Sequence, residues 1–200
     1  MAGLFLPFTP KAKTIEMKAI GIKKGHGIGP YEAVDPRDLA TRMGVEIIPA
    51  SWVDTLHPDL YRQLINEIGH TWSAGSLVVD EHTHVLLNPG HSPERHSPTL
   101  AEELVHVALG HPKSQLMTVD GVPMRTCQHD VESEAYAVAV ALILPYRIVF
   151  NHIRAGEPVE TIPSPVPLSN ECRAYRTKIV GMWPTALARL RARQAGPANG

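Results

Sequence analysis

The sequence predicts an α+β domain, and three observations carry that reading. Strand-like apolar runs, "VEIIPA", "GSLVVD" and "HVLLNP", fall in the first half of the chain. Helical periodicity dominates the later half, in "TLAEELVHVALG" and "HDVESEAYAVAVALILP". Strands gathered early and helices gathered late fit helices packed to one side of a small sheet. Two hundred residues suit one domain with room for a sizeable core.

Taken in order, residues 1–30 read as irregular, with Pro7 and Pro10 breaking the N-terminal segment and "KKGHGIGP" closing it. The alternating Gly25, Gly27 and Gly29 do not read as a phosphate loop, because no strand leads into them and Pro30 comes directly after. "DPRDLATRMG" is a short helix with Asp35 as N-cap, Pro36 at the first helical position and Gly44 just past the end. "VEIIPA" is a strand, and "HPDLYRQLINEIG" a second helix bounded by Pro58 and Gly69. "GSLVVD" and "HVLLNP" flank the polar "EHT" and form a hairpin. A loop, "GHSPERHSP", leads to a third helix starting near Ser97-Pro98 and ending at Gly110. A fourth runs from His129 to the stop at Pro145. "EPVETIPSPVPLSN" is Pro-rich and reads as extended or linker-like, and Pro184 starts a basic C-terminal helix containing "RLRARQ". The expected organisation is an irregular segment at 1–30, a domain at 31–150, and a linker with a helical extension at 151–200.

Composition narrows the classes of function. Charged residues make up 20% and hydrophobic residues 44%, as in ordinary globular proteins. A formal net charge of −1 gives no whole-protein attraction to nucleic acid or an acidic membrane. Cys127 and Cys172 are too few for a disulfide framework or a cysteine-based zinc site. The N-terminus has its apolar residues before its lysines, the wrong order for a secretory signal, and no window is apolar enough for a spanning helix. A cytoplasmic protein without membrane or nucleic-acid partners is the expectation.

The third helix holds the chemistry. Ala101, Leu104, Val105 and Ala108 obey the i, i+3, i+4, i+7 rule and make a core-facing stripe. Glu102 and His106, four apart, project from one face, with Glu103 beside them. A solvated outer face would explain two acids and an imidazole. However, no Lys or Arg occurs from position 100 to 112, and metal sites gather acids and imidazoles in this way. The fourth helix opens with His129, Asp130, Glu132 and Glu134, then runs ten apolar residues at 135–144, so it is buried. Its acids favour a helix N-terminus by themselves. Alternatively, a buried helix delivers one of these carboxylates to the metal of its neighbour, giving three protein ligands and an open position.

"VLLNP", "SPERHSPTLAEELVHVALGH" and "ESEAYAVAVALILP" together resemble the ImmA/IrrE family of metallopeptidases, over residues 33–146. The shared order is a strand, a Ser-Pro-x-Arg loop, an HExxH helix with a trailing Gly-His, and a Glu-x-x-Ala helix ending near Leu-x-Pro. The resemblance implies a zincin-like α+β fold, a small sheet packed against active-site helices, and cytoplasmic action. It also implies a zinc cofactor and a protein substrate, typically a DNA-binding transcriptional repressor in mobile-element immunity or stress responses. By it, Glu103 falls on the catalytic base, His106 on the second histidine ligand and Glu132 on the downstream ligand, with Glu134 as the neighbouring choice.

The departure is Glu102, which occupies the first histidine's place. Carboxylate oxygen is an accepted zinc ligand. One histidine and two carboxylates bring a divalent site to about zero charge, so it acidifies water less and tolerates manganese or iron better. His111 reads as a cap of the third helix or a further metal neighbour, while His129 and Tyr146 are oxyanion candidates that sequence cannot place. Cys127 reads as structural. Two readings remain open: a metal-dependent endopeptidase, or a non-catalytic binder that keeps the fold and grips a repressor or other protein.

Overall fold

A computed structural model describes residues 4–62, 65–66, 69, 71–112, 116–119, 122–125 and 129–194. The first element departs from the sequence reading. Residues 1–30 are not irregular throughout, because Pro10–Gly25 forms helix α1. Pro10 does not break it. The proline occupies the first turn, where its missing N–H would have no partner, and the Thr9 side chain caps the Ala12 N–H. Ala12, Ile15 and Ala19 are buried, so α1 belongs to the core.

Helix α2 (Pro36–Met43) is capped by the Asp35 side chain and closed by Gly44 at φ 67°, as its punctuation predicts. Strand β1 (Glu46–Ile48) is shorter than "VEIIPA", since Pro49, without an N–H, ends the ladder and Ala50 opens α3 (Ala50–Leu56). Of the helix expected at 57–69, α4 covers Pro58–Arg62, and residues 63, 64, 67 and 68 lie outside the described residues. The hairpin is present as β2 (Ala74–Val79) and β3 (His82–Leu87). Its turn is tighter than "EHT" implies. Val79 pairs with His82, so only Asp80 and Glu81 turn, both at positive φ as a two-residue type I′ connection demands.

The sheet order is β1-β3-β2, with β1 parallel to the central β3 and β2 antiparallel to it on the outer edge. Val85 and Leu87 of β3 are buried towards the helical layer. Helix α5 (Pro93–Leu109) lies across both β2 and β3. It begins at Ser92-Pro93, the first of two Ser-Pro pairs, and Pro98 of the second pair lies inside it. A small hairpin, β4 (Leu116–Val119) and β5 (Val122–Arg125), has no counterpart in the sequence reading and precedes helix α6 (His129–Ile143).

Helix α6 is the centre of the molecule. Its apolar run is buried against α5, α1 and α8 (Asn170–Ile179). Helix α7 (Tyr146–Ala155) continues directly from Pro145 and buries Val149 and Ile153. The Pro-rich stretch is not a loose linker. Val159, Ile162 and Leu168 are buried in the same cluster as α6, together with Cys172 of α8. The C-terminal α9 (Trp183–Gln194) forms where Pro184 places it.

Candidate metal centre

Helix α5 turns two different faces to its surroundings. Leu100, Ala101, Leu104 and Val105 are buried against the core. Glu102, Glu103 and His106 lie on the adjacent face, half-buried along a cleft of about 530 Å³. Helix α6 lays its first turn beside them, because the buried run at 135–144 fixes how the two helices pack. Glu132 therefore enters the cleft from the opposite wall. Residues 74–76 of β2 complete the rim.

One ligating atom from each of Glu102, His106 and Glu132 lies within 4.8 Å of the other two. His106 Nε2 and Glu132 Oε2 are 3.4 Å apart. Two donors about 2.0–2.1 Å from a tetrahedral zinc stand roughly 3.3–3.4 Å from each other. The donor set, two carboxylates and an imidazole, is one that zinc and harder divalent metals accept. The residues thus fit a metal of this class. Glu103 lines the same cleft beside them.

The electrostatics fit that arrangement. Burial, then the charges of Glu132 and Glu103, pushes the Glu102 carboxyl up to about 7. Three acids facing one half-buried space repel one another, and holding a proton relieves this, as binding a cation would. Tyr136 stands one turn after Glu132 on α6. Burial first, then Cys172 and the Glu102 charge, raises its phenol well above the ordinary range. Its ring meets Tyr175 of α8 edge-on at 5.0 Å.

Glu132 and Glu134 have different surroundings. Glu132 joins the cluster, whereas Glu134 accepts from Lys18 Nζ of α1 at 2.5 Å and lies 3.4 Å from His111 Nε2. The Lys18 hydrogen bond, opposed by partial burial, holds the Glu134 carboxyl below its ordinary value. His111 is more than a cap. Gly110, at φ 63°, turns the chain so that the His111 N–H bonds the His106 carbonyl and its Nδ1 comes within 3.2 Å of His106 Nδ1.

The oxyanion candidates do not reach the cleft. Tyr146 is in the core, stacked on Phe5 and beside Phe150, because it opens α7 directly under the end of the buried α6 run. His129 is exposed at the start of α6 and pairs through Nδ1 with the Ser133 hydroxyl. Cys127 lies outside the described residues. The contributions of Lys18 and His111 escape a reading of the sequence. Lys18 is 116 positions from Glu134 and carries no local signal, whereas the Gly110-His111 pair does mark a chain reversal onto His106.

Residues 57–154 match the Peptidase_M78 family model, described as the IrrE N-terminal-like domain. No curated protein and no solved structure matches the chain. The match includes α5 and α6, hence all four residues of the cleft named above, and leaves α1, α8 and α9 outside it.

Proposed function

The chain carries a Peptidase_M78 domain, IrrE N-terminal-like, at residues 57–154, and from that premise we propose that it is a metal-dependent endopeptidase whose metal is held by Glu102, His106 and Glu132. The observation that carries this reading is the convergence of those three donors within 4.8 Å in a cleft that also holds Glu103. When bound, a divalent metal supplies Lewis acidity towards water and towards a peptide carbonyl. The rest is the work of the chain. Glu103, not needed as a ligand, takes a proton from the attacking water and returns it to the leaving amine as the peptide bond breaks. Glu102 must give up its own proton to serve as a ligand, and its raised pKa sets that exchange near neutrality. Strand β2 is an edge strand along the cleft, so an extended stretch of substrate can lie beside residues 74–76 and present a peptide bond to Glu103.

The substrate class we propose is a DNA-binding transcriptional repressor, in keeping with the ImmA/IrrE resemblance. The metal is zinc, with manganese or iron as the alternatives that a two-carboxylate set admits. The test is Glu103→Gln. The isosteric amide is expected to leave fold and metal binding intact and to slow hydrolysis of a repressor substrate by about 10²–10⁴-fold. Cleavage by parent and by variant is compared on a gel, with zinc affinity measured in parallel. Equal cleavage by the variant excludes Glu103 as the base. Metal-free protein that binds the repressor without cutting it would instead support the non-catalytic binder.

A further inference from the structure

We propose that His111, anchored by Glu134, is a positioning residue that holds the His106 imidazole in the tautomer with hydrogen on Nδ1, leaving the Nε2 electron pair free to ligate. The inference rests on the reading of His106 as a metal ligand, and deepens it. The two ring nitrogens of His106 face different neighbours. Nε2 lies 3.4 Å from Glu132 Oε2, on the metal side, and Nδ1 lies 3.2 Å from His111 Nδ1. Two neutral imidazole nitrogens can bond only when one carries the hydrogen and the other a lone pair.

The next contact decides which. His111 Nε2 lies 3.4 Å from Glu134 Oε2, and a carboxylate only accepts, so the His111 hydrogen resides on Nε2 and its Nδ1 is the acceptor. His106 Nε2 lies equally far from Glu132 Oε2, which competes for a hydrogen there while that carboxylate is free. With Glu132 engaged by a metal or removed, the hydrogen shared between the rings belongs to His106 Nδ1. Glu134 is itself oriented, because its other oxygen accepts from Lys18 Nζ at 2.5 Å. The rings meet edge to face, centroids 5.0 Å apart and planes at 77°, and the His111 side chain is only 10% exposed, so little water competes. Histidine ligands commonly fix their second nitrogen on a carboxylate or carbonyl. Here an imidazole is interposed, and α1, outside the family-matched segment, anchors the far end.

The proposal separates from a merely structural role by its tautomer readout. Full-length metal-free protein carrying Glu132→Ala, so that no carboxylate competes at His106 Nε2, is labelled with nitrogen-15 at histidine and examined by NMR at about pH 8, where ordinary imidazoles are neutral. His111→Leu, His111→Gln and Glu134→Gln are compared by NMR in that background. With Glu132 retained, the same three variants and the parent are titrated with zinc, with folding checked by thermal melting. The Glu132→Ala protein with His111 and Glu134 intact is expected to show His106 as the Nδ1–H form. His111→Leu and Glu134→Gln should mix the two forms and weaken zinc binding roughly 10–100-fold. His111→Gln, whose amide oxygen can accept from His106, should recover part of the loss. An Nε2–H form of His106 in the Glu132→Ala protein, or unchanged tautomer and affinity in both disrupted variants, overturns the proposal. His106→Ala distinguishes the two failures. If that variant binds zinc as the parent does, the ligand reading itself falls; if it loses zinc while His111→Leu does not, only the positioning role falls.

Discussion

At position 102 a carboxylate stands where a two-histidine site would place an imidazole, and its surroundings are those of a group under demand. It is half-buried, four residues before His106, and that burial, with the charges of Glu132 and Glu103 added, raises its pKa to about 7. A bystander acid on a helix surface would be solvated and paired with lysine or arginine. Neither residue type occurs between positions 100 and 112. Glu102→Ala should therefore lower zinc affinity sharply while leaving the melting temperature of the metal-free protein unchanged or raised, since it removes a repelled carboxyl. Glu102→His should bind zinc more tightly and move the pH–rate profile to lower pH, because a more positive centre acidifies water further. Metal titration and rate measurements across pH compare the two. Metal binding by Glu102→Ala equal to that of the parent would make Glu102 a bystander.

Helix α1 shows what an element contributes from outside the matched domain. Its Glu16 accepts from the N–H of Tyr146, at the junction between α6 and α7, and from Arg176 of α8, whose Nε donates to Leu144 O at 2.8 Å. Glu16 and Arg176 are both fully buried, so the ion pair ties three helices at one point. Removing one partner leaves an uncompensated buried charge. Arg176→Ala should cost about 3–5 kcal/mol in urea unfolding. The double replacement Glu16→Leu with Arg176→Met should recover much of it, since Arg176 Nη1 has no hydrogen-bond partner among the described residues and the pair is incompletely satisfied. A larger loss in the double variant would show that the pair is indispensable to the fold.

Elements with local punctuation are legible in the sequence. Asp35, Pro36 and Gly44 bound α2 as written, and the apolar run at 135–144 identifies the buried α6. Where two local rules compete, legibility ends. Pro10 reads as a breaker although Thr9 makes it a helix start, and the second Ser-Pro pair reads as the start of α5 although Ser92-Pro93 holds that place. In the candidate site, residues sharing one helix face are legible from spacing alone. Contacts that span the chain, such as Lys18 to Glu134, have no such signature.

For the whole molecule, the matched segment at 57–154 is not a free-standing unit. One apolar cluster runs from Ile15 of α1 to Met182 beyond α8. The site is thereby coupled to global stability through protonation. Folded Glu102 titrates near 7, against an ordinary value of 4.5. Between those values the folded state holds more protons than the unfolded one, so the metal-free protein should lose stability as pH rises from about 4.5 to 7. Glu102→Gln should flatten that dependence. Saturating zinc should oppose it, because metal replaces the proton more readily as pH rises. Melting curves with and without zinc, across this range, check both signs.

The claim on which the rest depends is that Glu102, His106 and Glu132 together hold a metal. Elemental analysis tests it most directly, on full-length protein purified without chelator or affinity metal, beside a Glu132→Ala variant shown to be folded. Near-stoichiometric zinc, manganese or iron in the parent and little in the variant is the expected result. A folded parent that carries no metal and takes up none when it is supplied, or a variant that retains as much as the parent, would contradict it.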